Sequence, residues 1–389
     1  MAIGVAMIGS GIFARAQHLV SNKLSQSVDI PSTFLTLSQP AIEACPLLSL
    51  KAIYSRTHSS AQKLAADAAA SSDIAIYSDD VEDQDAGKTY RDLLGRSDIQ
   101  AVTIALPIPL QPPYIRAALA AGKHVLSEKP IAPTLSDAHS LLAFYHSAAC
   151  PEHATWSVAE NFRFLDSFLW GAEKVREMGR VLGFRVNMFT NVMPGKTEWR
   201  KHPSYQGGFL LDGAVHFIAG LRLLLTPSQS TTYPASTSPT ADTLTSLSAL
   251  TALLRPHLPP VDTVDSILRT SNDITGTFSV SFGTTFPRGS SWHIACEKGG
   301  VTVAGGSVII EDSEGQMLEK KSFPDEKGGV GVEVRTWAEG IAPGSAEGGR
   351  KHDPRLRPEE ALRDLDILDK MLRSGETGGL PQEIAISVE

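Results

Sequence analysis

The sequence predicts a two-domain protein: an α/β domain with a parallel sheet covered by helices on both faces, then a domain of α+β type that is mainly β. Three observations lead there. The chain has 389 residues, more than one hydrophobic core usually supports. Over residues 1–150 short apolar runs alternate with helical stretches at regular spacing, the pattern of βαβ units. From Arg180 onward the runs alternate in polarity or are rich in β-branched residues, the pattern of half-buried strands. The domains are accordingly 1–150, 151–357 and a closing helix and tail, 358–389, expected to pack back on the first domain.

Composition excludes several classes of function. With 42% hydrophobic and 20% charged residues the chain has the content of an ordinary soluble globular protein. A net charge of −8, with no stretch concentrating Lys and Arg, argues against a nucleic-acid partner. No uncharged apolar run approaches the roughly twenty residues that a membrane span requires. Cys45, Cys150 and Cys296 are odd in number, far apart and in no metal-ligand spacing, which points to reduced thiols and a cytosolic protein. The apolar start lacks a basic region and meets Gly9 at once, so it reads as a strand and not as a signal peptide.

In chain order, Ile3 to Ile8 fits a strand buried on both faces. Gly9-Ser10-Gly11-Ile12-Phe13-Ala14 follows, opening a helix through Leu19. A GxGxxA turn between strand and helix suits a dinucleotide, because the first Gly permits the tight turn and the second lets backbone approach a pyrophosphate. The small Ala14 lets helix pack on strand. Residues 21–46 read as an insertion before the strand Leu48 to Tyr54, which ends in Ser55-Arg56-Thr57. At that place an acid would accept from a ribose 2′-OH, whereas an Arg accommodates a 2′-phosphate. Arg56, with no acid beside it, favours NADP over NAD. The alternative is a solvated Arg56 with an acid elsewhere doing that work. Helices Ser59 to Ala70, Tyr90 to Leu94 and Tyr114 to Ala121 alternate with the strand Ala101 to Leu106, whose loop Leu106-Pro107-Ile108-Pro109-Leu110-Gln111 emerges at the same sheet edge as Gly9.

Val125-Leu126-Ser127-Glu128-Lys129-Pro130 reads as the end of a buried strand stopped by proline. Charges at the carboxyl end of such a strand lie where open parallel sheets bind ligands, so Lys129 is either chemical equipment or half of a surface ion pair. Ser136 caps a helix through His146, and Val158 to Asn161 gives one more strand before the helix Ser167 to Met178. The later strands are expected at Val181 to Thr190, Leu244 to Leu254, Thr263 to Thr270, Thr275 to Phe282, Trp292 to Cys296, Val301 to Ala304 and Ser307 to Glu311. Residues 228–245 and 324–357 read as loops, the second with at most a short helix near Thr336, and Pro358 to Ser374 as an amphipathic helix.

Gly207-Gly208-Phe209-Leu210-Leu211-Asp212-Gly213-Ala214-Val215-His216 opens a helix that is apolar nearly all round. On such a buried helix the polar residues are the informative ones. Asp212 and His216 share a face at i,i+4, where a carboxylate can hold an imidazole for proton transfer; the pair can equally satisfy only itself. The two glycines leave room for a close approach to the helix's first turn. Lys196, Trp199, Arg200, Lys201, His202 and Tyr205 precede them, either lining a pocket, with Trp199 and Tyr205 suited to a sugar face, or forming a solvated loop.

With these motifs in this order, and with Ala159-Glu160-Asn161-Phe162-Arg163-Phe164 between them, the chain resembles the glucose-fructose oxidoreductase, inositol dehydrogenase and MocA family (Gfo/Idh/MocA). The resemblance implies a Rossmann domain, a doubly wound parallel sheet, joined to a substrate-binding α+β domain with a large open, mainly antiparallel sheet through which members form homodimers or larger homo-oligomers. It implies an NAD(P)-dependent oxidoreductase acting on hydroxyls of sugars, polyols or related cyclic substrates. Carried over by position, Lys129, Asp212 and His216 are the catalytic set: His216 exchanges the hydroxyl proton, Lys129 stabilises charge on that oxygen and Asp212 fixes the His or a neighbouring hydroxyl. The cofactor is expected at Gly9, Gly11, Ile12, Phe13, Ser55, Arg56, Leu106, Pro107, Gln111, Glu128, Lys129 and Asn161, the substrate at Trp199, Arg200 and Tyr205, with no metal. Two departures stand out: Ala214 where many members have Gly, and Ile108 and Gln111 where the family's loop carries Asn and His. A nucleotide-sensing regulator and a redox-assisted epimerase or glycosidase that retains its cofactor are the alternative readings; the presence of all three catalytic residues speaks against the sensor.

Overall fold

The structure, a computed structural model, describes residues 2–11, 13–19, 41–68, 73–80, 87–193, 203, 205–226, 243–285, 288–324, 326, 328–344 and 353–384. Its chain divides into two compact units. Of the described residues, the first holds those up to Ala159 and from Val330 to Pro358, and the second holds those from Glu160 to Gly329 and from Glu359 onward.

The first unit runs β1 (Ile3–Ile8), β2 (Leu48–Ser55), α1 (His58–Asp67), β3 (Ala75–Ser78), α2 (Tyr90–Leu94), β4 (Ala101–Ile104), α3 (Gln111–Ala120), β5 (His124–Glu128), α4 (Leu135–His146) and β6 (Trp156–Ala159). All neighbouring strands pair in parallel, in the order β3-β2-β1-β4-β5-β6. Every residue of β1, β4 and β6 is buried, which is why those segments read as continuous apolar runs. Helix α2 carries a reciprocal cap between Thr89 and Asp92. Helix α4 is capped by Thr134, whose hydroxyl accepts from the Asp137 N–H at 3.1 Å, and not by Ser136. Thr134 has the extended backbone of a cap and its side chain reaches three residues on.

The second unit continues with α5 (Asp166–Glu177), β7 (Val181–Phe189), α6 (Gly208–Leu225), β8 (Leu244–Ala252), β9 (Thr263–Thr270), β10 (Thr275–Ser281), β11 (Gly289–Cys296), β12 (Gly299–Ala304), β13 (Ser307–Asp312) and β14 (Met317–Ser322). With β15 (Gln382–Glu383) these form a nine-stranded sheet, ordered β14-β13-β12-β11-β7-β10-β9-β8-β15. It is antiparallel throughout except between β7 and β10. Burial alternates along β9 and β10, so one face of this sheet is covered and the other is not. Helix α5 packs on α6 and on β12 and β13. Helix α6 is long and apolar enough to pass for a membrane span, yet 89% of it is buried within the protein, as befits a core helix.

The end of the chain departs from the expected division. Residues 324–357 hold a twelve-residue helix, α7 (Val330–Ile341), whose Val330, Val334, Trp337, Ala338 and Ile341 are buried, and this segment belongs to the first unit. Helix α8 (Pro358–Glu376) belongs instead to the second unit. The reason is charge. Buried Arg163 pairs with Asp364, Arg222 of α6 reaches Asp364 and Glu360 at 2.6 Å each, and Ser374 accepts from the Ala249 N–H of β8 at 2.8 Å. The strand expected at Val158 to Asn161 ends at Ala159, and Asn161–Phe164 form a single tight 3-10 turn after Glu160.

Candidate active site

In the first unit the carboxyl ends of β1, β2, β4 and β5 share one edge, with the chain order reversing about β1. Ligands of doubly wound sheets bind at such a reversal. Gly9 sits there with φ of +110°; its N–H donates to the Tyr54 carbonyl at 2.8 Å, while the Ile8 carbonyl accepts from Ala105 at 2.8 Å. A Cβ on Gly9 would lie 2.3 Å from the Ala105 carbonyl oxygen, so the turn admits glycine alone. A Cβ on Gly11 would meet nothing within 4 Å. That open side is where a pyrophosphate approaches backbone. Ala14–Leu19 continues as one wide helical turn, and Phe13 is exposed. Ile12 lies outside the described residues.

The adenosine side of this edge is crowded with oxygen donors. Ser10 and Ser55 hydroxyls lie 2.8 Å apart, and Arg56 is exposed. Two acids stand at the end of β3, and protein donors occupy both. Asp79 accepts from the hydroxyls of Tyr54 and Tyr114, and Asp80 accepts from the His58 N–H at 2.7 Å. Burial and the bond to Asp79 push the Tyr54 phenol far above its ordinary pKa, so it stays a proton donor.

On the other side of β1, Leu106 and Pro107 are half-buried and Gln111 opens α3. The Gln111 side chain is 1% exposed and its Oε1 is without a hydrogen-bond partner among the described residues, an acceptor that a carboxamide would satisfy. Glu128 ends β5 and its Oε1 lies 3.1 Å from Nε2 of fully buried His18. Lys129 follows, half-buried, before a cis bond to Pro130. The glycine cradle, the open face of Gly11 and the Gln111 acceptor together fit a nicotinamide dinucleotide.

In the second unit α6 presents Asp212 and His216, both buried. The hydrogen bond to the ring comes from outside the helix: His216 Nδ1 lies 2.7 Å from Oε1 of Glu160, whose side chain is 1% exposed. Phe162 stacks on the ring at 5.0 Å between centroids and 20° between planes. Below them Arg163 and Arg222 face Asp364 and Glu360. Burial alone would raise the Glu360 carboxyl, but Arg222, Arg363 and Arg163 outweigh it and hold it below the usual range.

The glycines that open α6 serve the protein itself. A Cβ on Gly208, at φ of +54°, would lie 2.1 Å from the Pro259 carbonyl oxygen, so what approaches closely is the protein's own backbone. Asn161 donates from Nδ2 to the Gly328 carbonyl at 2.5 Å, and Tyr205 is buried. Trp199 and Arg200 lie outside the described residues. Sequence reading had Glu160 within a motif and gave it no role, since its partner is 56 residues away on another element. Cys45, Cys150 and Cys296 are buried.

Two family profiles match the chain. The oxidoreductase family, NAD-binding Rossmann fold, covers residues 3–151, and the GFO/IDH/MocA C-terminal domain covers 174–302. Dehydrogenase FPY6 of Fusarium mangiferae is 38% identical over 385 residues, spanning 97% of each chain. The D-xylose 1-dehydrogenase (NADP(+)) 2 of Haloferax volcanii is 24% identical over 85% of this chain and 93% of its own. An oxidoreductase of Thermotoga maritima of known structure shares the fold, with a TM-score of 0.74 over 99% of both chains at 24% identity.

Proposed function

The chain belongs to the GFO/IDH/MocA oxidoreductase family, and from that membership we propose that this NAD(P)-dependent dehydrogenase or reductase prefers NADP and interconverts hydroxyl and carbonyl at a carbon of a sugar, polyol or related cyclic substrate. The observation that carries the reading is the dinucleotide cradle at Gly9 and Gly11 on the same sheet edge as Lys129, in a chain that also holds His216 on a buried helix. Gly9, Gly11, Ser55, Arg56, Leu106, Pro107, Gln111 and Glu128 would hold the cofactor. When bound, its nicotinamide exchanges a hydride with the substrate carbon.

The protein's own part is proton and charge. His216 takes the proton from the substrate hydroxyl in oxidation and returns it in reduction. Lys129 donates a hydrogen bond to the same oxygen as charge develops on it. Asp212, one helical turn before His216, holds a neighbouring substrate hydroxyl. Arg56 supports NADP, being exposed at the end of β2 where a 2′-phosphate would lie, while the two nearby acids already accept from Tyr54, Tyr114 and His58. The sugar class rests on the named substrates of relatives such as the D-xylose dehydrogenase. The buried free thiols of Cys45 and Cys296 support a reducing, cytoplasmic setting, and outward-facing Leu250 and Ile267 on β8 and β9 support a homo-oligomer through the open face of the sheet.

The test is a panel of aldoses, inositols, keto-sugars and trans-dihydrodiols followed by nicotinamide absorbance with NADP(H) and NAD(H). Lys129→Ala and His216→Ala are expected to lose about 10²-fold or more in kcat while still binding nucleotide. A folded variant working at the parental rate would remove that residue from the mechanism. Turnover without added nucleotide would mark a retained cofactor.

A further inference from the structure

We propose that Glu160 is the positioning residue for His216: its carboxylate accepts the Nδ1 proton, so that Nε2 is the nitrogen that exchanges a proton with the substrate. This rests on the reading of His216 as acid/base, and it moves the orienting role from Asp212, its helical neighbour, to a residue on a different element.

Oε1 of Glu160 serves two partners. The same oxygen that lies 2.7 Å from Nδ1 accepts the Phe162 backbone N–H at 3.2 Å. An ionised carboxylate has no proton to give, so with Glu160 ionised this oxygen accepts from both partners and the proton between it and the imidazole belongs to Nδ1. The short distance is that of a charge-assisted bond. Phe162 fixes the plane of the ring by stacking, and the carboxylate fixes its rotation within that plane. Exposure is lopsided: the Glu160 side chain is 1% exposed and that of His216 is 11%. The pair is closed at the carboxylate and open at the imidazole.

The surroundings keep this carboxylate in place. Glu160 directly precedes the turn Asn161–Phe164, and its side chain caps that turn. Arg163, from the same turn, is pinned to Asp364 of α8, while Arg222 of α6 divides between Asp364 and Glu360. Asp364 in turn feels the negative charge of Glu160. The charged groups around the His216 pair are therefore Asp212 and Arg222 on its own helix, Arg163 on the turn, and Glu360 and Asp364 on α8. A carboxylate placed by three elements gives the ring one orientation, the condition under which a general base works from a single nitrogen.

Selective ¹⁵N labelling of histidine tests this on the intact protein, with the His216 signals assigned by their loss in His216→Asn. The expected result for the neutral ring is a protonated Nδ1 and an unprotonated Nε2; an unprotonated Nδ1 overturns the proposal outright. Glu160→Gln retains an acceptor, because the Phe162 N–H holds the amide oxygen where the carboxylate oxygen was. It should keep the tautomer and most of kcat. Glu160→Ala should lose about a hundredfold in kcat with nucleotide affinity unchanged, and should shift the proton toward Nε2. Parental kcat and tautomer in a folded Glu160→Ala overturn the proposal, and if that variant does not fold, the parent and Glu160→Gln spectra decide. His216→Ala separates the two readings: full activity there removes the acid/base role itself, whereas loss there with an indifferent Glu160→Ala removes only the positioning.

Discussion

The Gly9 turn and the His216 ring are held by opposite means. At Gly9 backbone does everything: the N–H and the flanking carbonyl are spent on β2 and β4, and the space a side chain would need is taken by the Ala105 carbonyl. At His216 the backbone is ordinary helix, and the geometry comes from side chains of three elements whose charges are out of water. The first arrangement is intolerant of one carbon atom and indifferent to charge. The second tolerates changes of shape and depends on every charge having its partner.

That contrast sets the order of the expected effects. The largest falls in the second unit: Arg163→Ala strips Asp364 of one of its two cations and should cost about 3–5 kcal/mol in urea unfolding. A cost under about 1 kcal/mol would mean that the network does not hold the turn carrying Glu160 and Phe162. Gly9→Ala comes next, at about 1–3 kcal/mol from the left-handed backbone, with more from the clash and with nucleotide binding lost in calorimetric titration. Gly11→Ala is the sharpest discriminator and the smallest effect on the fold. Its Cβ would enter open space, so stability should stay within about 0.5 kcal/mol of the parent. Nucleotide affinity should still fall about tenfold, the loss expected when one hydrogen bond to a phosphate is pushed out of reach. Unchanged affinity would place the phosphates elsewhere.

The same contrast separates what was readable from what was not. Thr263–Thr270 was legible to the residue, because its alternation in polarity matches the alternating burial of the folded strand. Strand β14 was missed because all six of its residues are exposed, so no apolar period marks this edge of the sheet. Helix α7 was read only as a short helix near Thr336, because glycine-rich, charged flanks mask the helical spacing of its buried residues. Gly208 announced a close approach without saying of what; here it is Pro259.

Local signals were enough for the dinucleotide turn, the Glu-Lys-Pro strand end and the Asp212/His216 face, because each is a short stretch whose residue types state the backbone they require. Pairings across the chain were not contained in any such stretch. Glu160 meets His216 across 56 positions, and Arg163 meets Asp364 across 201. Burial gives both pairs their strength, and burial belongs to the folded core; a carboxylate read in sequence is a surface charge until the fold removes the water around it.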